Sequence, residues 1–258
     1  MDLDPDLAAL GPLGPFFALR TSPGGPGEPA AALPTLARAY TAKACQEAPG
    51  SAGPDVHGDP LALRVRKVTR ALHAPEDRIG ASVAQQGLAA RLWSVALGCA
   101  VLYGSVPDLA PGLLRWDPDA TAPDDLWLTE VRALPGDAAT VAATILDGHL
   151  EPLSAALRAR HRVAPGLLRG NSGSALAGAA RRLDLWARAQ GRPDLAARAR
   201  ALTAELFTHP LLADTGTPPG AAFRRRSCCL YYRVPGGGVC GDCCFTRPPR
   251  SSPRAPSG

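Results

Sequence analysis

Apolar positions recur at helical spacing along most of the chain. Leu61, Val65, Val68 and Leu72 mark one face of a helix, and Leu88, Leu92, Val95, Cys99 and Leu102 mark a second. Pro75-Glu76-Asp77 offers that second helix a proline and an acidic first turn. Leu176, Ala180 and Leu183 form a further stripe, and Leu195, Ala199, Leu202 and Leu206 another. Arg192-Pro193-Asp194 separates the two, the pattern of an antiparallel helical hairpin. Residues 30–46 also turn helical, with Pro34 expected in the first turn, until Pro49-Gly50-Ser51 opens a loop that runs to Asp59-Pro60. Helical character returns over 137–162, where Pro152 must kink one helix or begin another. A new helix is expected, because proline cannot donate to the ladder. Gly170-Asn171-Ser172-Gly173-Ser174 reads as a break before the next helix, either a cap made by Ser172 or N–H groups offered to an anion.

Alternating or β-rich runs are short. Phe16-Phe17-Ala18-Leu19-Arg20 is a candidate edge strand, and Leu113–Trp116 and Leu126–Val131 are candidates to pair in a small sheet. The expected fold is mainly α with a few short strands. A helical body over 1–220 precedes a cysteine-rich segment at 221–246, and the tail 247–258, lacking core formers, is expected to be disordered.

Composition narrows the function classes. The 258 residues are 46% hydrophobic and 20% charged, ordinary for a globular chain. The net charge of +5 is carried almost entirely by arginine, Lys43 and Lys67 being the only lysines. So modest a surplus suits an anionic ligand or an acidic protein partner, and no nucleic-acid partner is expected. The acidic, proline-broken start Met1-Asp2-Leu3-Asp4-Pro5-Asp6 lacks the features of a secretory signal. The run from Trp93 to Val106 falls short of the roughly 18 to 20 apolar residues of a membrane helix, so no transmembrane segment is expected. A cytoplasmic location follows as an expectation, and with it reduced thiols.

Five of the seven cysteines fall between Ser227 and Phe245. Cys228, Cys229, Cys240 and Cys243 form the pattern C-C-x10-C-x2-C, with Cys244 one position beyond it. Four thiolates satisfy a [2Fe-2S] cluster, two on each iron, and Pro235-Gly236-Gly237-Gly238 is able to turn the chain back and bring N–H groups near the sulfurs. Structural zinc and redox-switching thiols are the alternatives, although zinc sites usually pair cysteines as C-x2-4-C at both ends. Neighbouring side chains on an extended strand point to opposite faces, so Cys228 and Cys229 need a local bend to share a site.

The adjacent pair and its spacing resemble the C-terminal [2Fe-2S] signature of FhuF-like ferric-siderophore reductases. Arg91–Gly98, His149–Leu153 and Gly170-Asn171-Ser172 are similar to stretches of that family, carrying the resemblance over roughly residues 60–245. It implies cluster ligation by Cys228, Cys229, Cys240 and Cys243, with the fourth ligand open between Cys243 and Cys244. It also implies one-electron reduction of Fe(III) in a ferric siderophore and release of Fe(II) in the cytoplasm. The rival class is a non-catalytic protein that binds zinc or senses redox state through a cluster.

The remaining candidates are simpler. Arg224, Arg225 and Arg226 precede the first ligand and are expected to favour the reduced cluster, to attract an acidic donor or to bind an anionic chelate; a solvated charge run is the plain alternative. Tyr231 and Tyr232 are placed to border a substrate cleft or to shield the cluster, with Tyr231 grouped among the substrate contacts; ordinary packing explains them equally well. Cys45 and Cys99 read as small buried hydrophobes, and the five histidines have no ligand spacing, though His149 is a candidate to face substrate. No G-x-G-x-x-G or P-loop is present. Electrons must therefore come from an external donor, such as a ferredoxin or a flavin- or nicotinamide-dependent reductase.

Overall fold

The computed structural model describes Leu7 and residues 9–21, 30–41, 58–217 and 222–249. In chain order the elements are β1 (Arg20–Thr21), α1 (Leu36–Thr41), α2 (Pro60–Ala71), α3 (Asp77–Tyr103), β2 (Ser105–Pro107), β3 (Leu114–Trp116), β4 (Leu126–Leu128) and β5 (Ala133–Pro135). They continue with α4 (Ala138–Ala142), a π-helical stretch (Ala143–Leu150), α5 (Glu151–His161), α6 (Pro165–Ala189) and α7 (Pro193–Leu206).

The centre is α3, which is apolar and buried on nearly all sides from Ile79 to Val101, as a helix enclosed by others must be. It stops at Gly104, whose φ of 76° turns the chain into β2. Against it lie α2 and α6. The α2 helix starts on Asp59, whose carboxylate accepts the Ala62 N–H at 3.0 Å. It approaches α3 so closely that a Cβ on Gly80 would fall 1.9 Å from Thr69 Oγ1. After α6 the chain reverses through Gly191 (φ 66°), and α7 returns along it, the expected hairpin. The expected pairing of 113–116 with 126–131 is also present: β3 and β4 are antiparallel, with Leu114 opposite Leu128 and Trp116 opposite Leu126. A second small sheet, β2 antiparallel to β5, was not foreseen, both strands being three residues long and ending in proline.

Several expectations need correction. The strand expected at Phe16–Arg20 shrinks to Arg20–Thr21, parallel to β4. The cause is Arg91, whose buried guanidinium takes the carbonyls of Phe16 (2.6 Å) and Ala18 (2.8 Å) and bonds Asp125 Oδ1 at 2.9 Å. Those carbonyls are lost to any ladder. Pro34 lies before α1 and not in its first turn, because its carbonyl accepts Trp116 N–H at 2.9 Å and keeps the chain extended; residues 42–51, where that helix was expected to end, lie outside the described residues. Pro152 does sit in the first turn of α5, but no break precedes it. The helix widens into π turns, with Glu151 N–H reaching back to Leu146 O, and this removes the need for the bond that Pro152 cannot make. The tail was expected to be disordered from 247; residues 250–258 lie outside the described residues.

Candidate metal centre

Residues 223–245 lie against the N-terminal half of α3 and against α6 from Leu167 to Arg181. The segment enters beside 215–217, where Arg224 O accepts Thr217 N–H and Arg226 N–H reaches Thr215 O, both at 2.9 Å, while Arg225 N–H reaches Asp242 O at 2.9 Å. This last bond brings the two cysteine pairs to the same end of the segment. The chain turns directly after the adjacent cysteines at Leu230, whose φ of 69° is rare for a residue with a Cβ. A short 3-10 turn follows at Tyr231–Arg233, then Gly236 reverses the chain with φ 70°. Gly237 has no room for a side chain, since a Cβ would lie 2.6 Å from Tyr231 O. Finally Cys243 N–H closes the C-x2-C turn onto Cys240 O at 3.0 Å.

Two of the thiols meet. Cys229 and Cys240 have their sulfurs 3.5 Å apart, close to the ~3.8 Å that two thiolates keep on one tetrahedral metal with ~2.3 Å bonds. Cys229 and Cys243 are 3% and 7% exposed; Cys228, Cys240 and Cys244 are partly exposed. Two backbone donors aim at sulfur: Leu230 N–H at Cys228 Sγ (3.2 Å) and Phe245 N–H at Cys243 Sγ (3.4 Å). The glycine run turns the chain as expected, yet these donors come from outside it. Burial pushes Cys228 up to about 11; the Leu230 N–H opposes this, and the charges of Cys229, Cys244 and Cys243 add to it. Burial, then Cys229, pushes Cys240 up to about 12. Thiols raised this far stay protonated until a cation takes the place of their protons.

The helical body is shaped to receive this segment. Gly170 and Gly173 of α6 face it without side chains: a Cβ on Gly170 would sit 2.0 Å from Ser227 Oγ, and one on Gly173 2.3 Å from Thr215 Oγ1. Between them Asn171, wholly buried, bonds in two directions. Its Oδ1 accepts Arg225 Nη2 at 2.5 Å, and its Nδ2 donates to Ser82 O at 2.9 Å. Ser82 Oγ then donates to the carbonyl of Cys229 at 2.8 Å. Ser174 Oγ donates to Asp242 Oδ2 at 2.7 Å, inside the Cys240–Cys243 turn, and Arg233 pairs with Glu76 at the start of α3 at 2.9 Å. The break and cap expected at Gly170–Ser174 are therefore corrected. These residues are buried mid-helix in α6, and their smallness makes a seat for the cysteine segment. The signal was in the sequence: Gly170, Ser174 and Arg181 recur at helical spacing on one face.

The three arginines do not form one exposed run. Arg224 Nε donates to Cys243 O at 3.1 Å and Arg226 pairs with Asp214 at 2.8 Å, both side chains lying on the surface. Arg225, by contrast, is 3% exposed, so its expected place on a substrate surface is corrected: it is drawn inward by Asn171. Tyr231 is exposed on the 3-10 turn, and Tyr232 packs edge-on against Phe245 with centroids 5.8 Å apart. His149 does not face a substrate. It is fully buried between Tyr40 and Leu109, while Cys99 lies in the core and Cys45 falls outside the described residues. A cleft of about 440 Å³ opens beside the cysteine turn, bordered by Phe16, Gln86, Ser94, Gly178, Arg181 and Asp242.

The family model of the FhuF 2Fe-2S C-terminal domain matches residues 225–245. This segment is a FhuF-type [2Fe-2S] domain. The match begins at Arg225 and ends at Phe245, so of the resemblance drawn over residues 60–245 it covers the cysteine segment. No curated protein matches the chain. The FhuF-type segment fits a [2Fe-2S] cluster on its own geometry: a sulfur pair at metal-sharing distance, N–H donors on two other sulfurs, and in Arg225 a buried cation whose Nε and Nη1 find no acceptor among the described residues.

Proposed function

We propose that the protein is a cytoplasmic ferric-siderophore reductase that passes one electron at a time to Fe(III) in the chelate, releasing iron as Fe(II). Hard oxygen ligands hold Fe(III) well and Fe(II) less well, so a single electron loosens the metal. When bound, the cluster supplies a one-electron carrier. In this reading Cys228, Cys229, Cys240 and Cys243 would hold it. A single zinc is disfavoured, because zinc sites usually pair cysteines as C-x2-4-C at both ends and here one pair is directly adjacent.

The observation that carries the reading is the position of Asp242. It lies between Cys240 and Cys243 and also borders the cleft, where Arg181 approaches it at 3.5 Å. A chelate seated in the cleft would touch the turn that carries two ligands. The exposed Arg224, Arg226 and Tyr231 surround the same segment and suit an acidic electron donor, a ferredoxin or a flavin- or nicotinamide-dependent reductase, or the rim of an anionic chelate. Among the described residues no helix is long and apolar enough to cross a membrane.

The test is anaerobic. Protein reduced by dithionite and freed of excess reductant is mixed with a ferric siderophore and a ferrous-specific chelator. About one Fe(II) should appear per reduced cluster as the cluster reoxidises. Protein that stays reduced in the presence of several ferric chelates would point instead to a cluster that senses.

A further inference from the structure

Arg225 is an anomaly unless something anionic lies beside it. Its side chain is buried, and no carboxylate among the described residues pairs with it. Nη2 is satisfied by Asn171 Oδ1 at 2.5 Å and Leu167 O at 3.3 Å. Nε and Nη1 are buried without an acceptor, and so is Ser227 Oγ, two residues along. Both side chains crowd the bare face of Gly170, 3.1 Å and 2.0 Å from where its Cβ would be. The contrast with Arg91 is direct: that equally buried guanidinium has Asp125 at 2.9 Å and three carbonyls. Taking a guanidinium out of water without a counter-charge is strongly unfavourable, and two idle donors add to the cost.

The charge that Arg225 lacks is supplied by the group its own segment binds. Four thiolates and two sulfides around two ferric ions leave a net negative charge, which grows by one on reduction. Asn171, which holds Arg225, also donates to Ser82 Oγ at 3.1 Å, and Ser82 Oγ donates to the carbonyl of Cys229 at 2.8 Å, so a short hydrogen-bonded chain joins the guanidinium to the backbone of a cysteine in the pattern. We propose that Arg225 is the buried counter-ion of the cluster, fixed at Nη2 by Asn171. The assignment rests on the cluster and not on the identity of the electron acceptor. Two consequences follow. The cation raises the reduction potential, because it stabilises the more negative reduced form. It also couples loading to docking: with the cluster bound, Arg225 is paired and the segment is locked on α6, whereas without it an unpaired charge is held in the body.

The experiment compares the cluster-loaded protein with the same protein after iron removal, for Arg225→Gln, Arg225→Lys and Arg225→Met, with Arg224→Gln and Arg226→Gln as surface controls. Midpoint potentials come from EPR-monitored redox titration at low and high salt, and unfolding midpoints from thermal melts. Arg225→Gln should disfavour reduction by about tenfold, or about 59 mV for one electron, at both salt levels, since a buried charge is little screened. Arg225→Lys should recover most of that, and it carries the test if the glutamine variant fails to load. The surface variants should shift less, and less still at high salt. Arg225→Met should leave the melt of the iron-free protein unchanged or raised while lowering that of the loaded protein. A potential equal to wild type in Arg225→Gln, or equal losses in both melts for Arg225→Met, would make Arg225 only a strut for Asn171 and overturn the proposal.

Discussion

Cys243 and Cys244 differ in what surrounds them, and that difference favours Cys243 as the proposed fourth ligand. Cys243 is buried, receives the Phe245 N–H at its sulfur and closes the turn onto Cys240. Cys244 is more exposed, and burial followed by the charge of Cys243 raises its pKa. Cys244→Ser should keep the visible absorption of the cluster and Cys243→Ser should lose it; the reverse result would exchange the two. His149 makes the other residue-scale prediction. Its Nε2–H donates to Leu109 O at 2.5 Å, so Nδ1 is the acceptor for Tyr40 O–H at 2.8 Å and the ring is neutral. Burial lowers its pKa to about 4, with the Leu109 bond opposing, whereas an unfolded histidine titrates near 6.5. Between those values the unfolded chain binds the extra proton. Stability should therefore be full above pH ~6.5 and fall by roughly 3 kcal/mol as pH drops to ~4. Urea melts of His149→Gln should show lower stability at pH 7 and a flatter slope over that window.

Among the elements, the long helices were legible because burial on one side writes a stripe, as in α2, α6 and α7, and because α3, enclosed on nearly all sides, is apolar along most of its length. What misled was Gly170–Ser174. Glycine and serine usually punctuate a chain, and nothing local says that here they clear space for a segment folding back from 215–227. The same limit hid the π stretch before Pro152 and the capture of the Phe16 and Ala18 carbonyls by Arg91, both set by distant partners. The seat makes a prediction of opposed signs. Alanine in a helix interior outranks glycine by about 0.5–1 kcal/mol, so propensity alone would make Gly173→Ala stabilising. A Cβ there, however, would meet Thr215 Oγ1 at 2.3 Å, Thr215 Cβ at 2.9 Å and Phe223 Cζ at 3.3 Å. Overpacking of this kind costs about 1–3 kcal/mol and should win. The variant should retain helical circular dichroism but lose its cluster to an iron chelator faster than wild type; an equal rate would show that the seat does not hold the segment.

At the scale of the whole molecule, the cysteine chemistry could be read from spacing, since ligands within one short segment need no knowledge of the rest of the fold. The attachment of that segment could not. Ser82 and Cys229 are separated by 147 positions, and only the crossing of α3 with α6 brings them into one chain of hydrogen bonds with Asn171 and Arg225. The arginine run showed the same division, uniform in sequence and split by folding into two surface cations and one buried one. Everything in this account depends on what the four pattern thiols hold. The direct measurement is the iron, zinc and acid-labile sulfide content of protein purified without oxygen, with EPR after one-electron reduction. About two irons and about two sulfides per chain and an S = 1/2 signal are expected, all lost in Cys229→Ser and Cys240→Ser. Colourless protein carrying one zinc and no sulfide would contradict this.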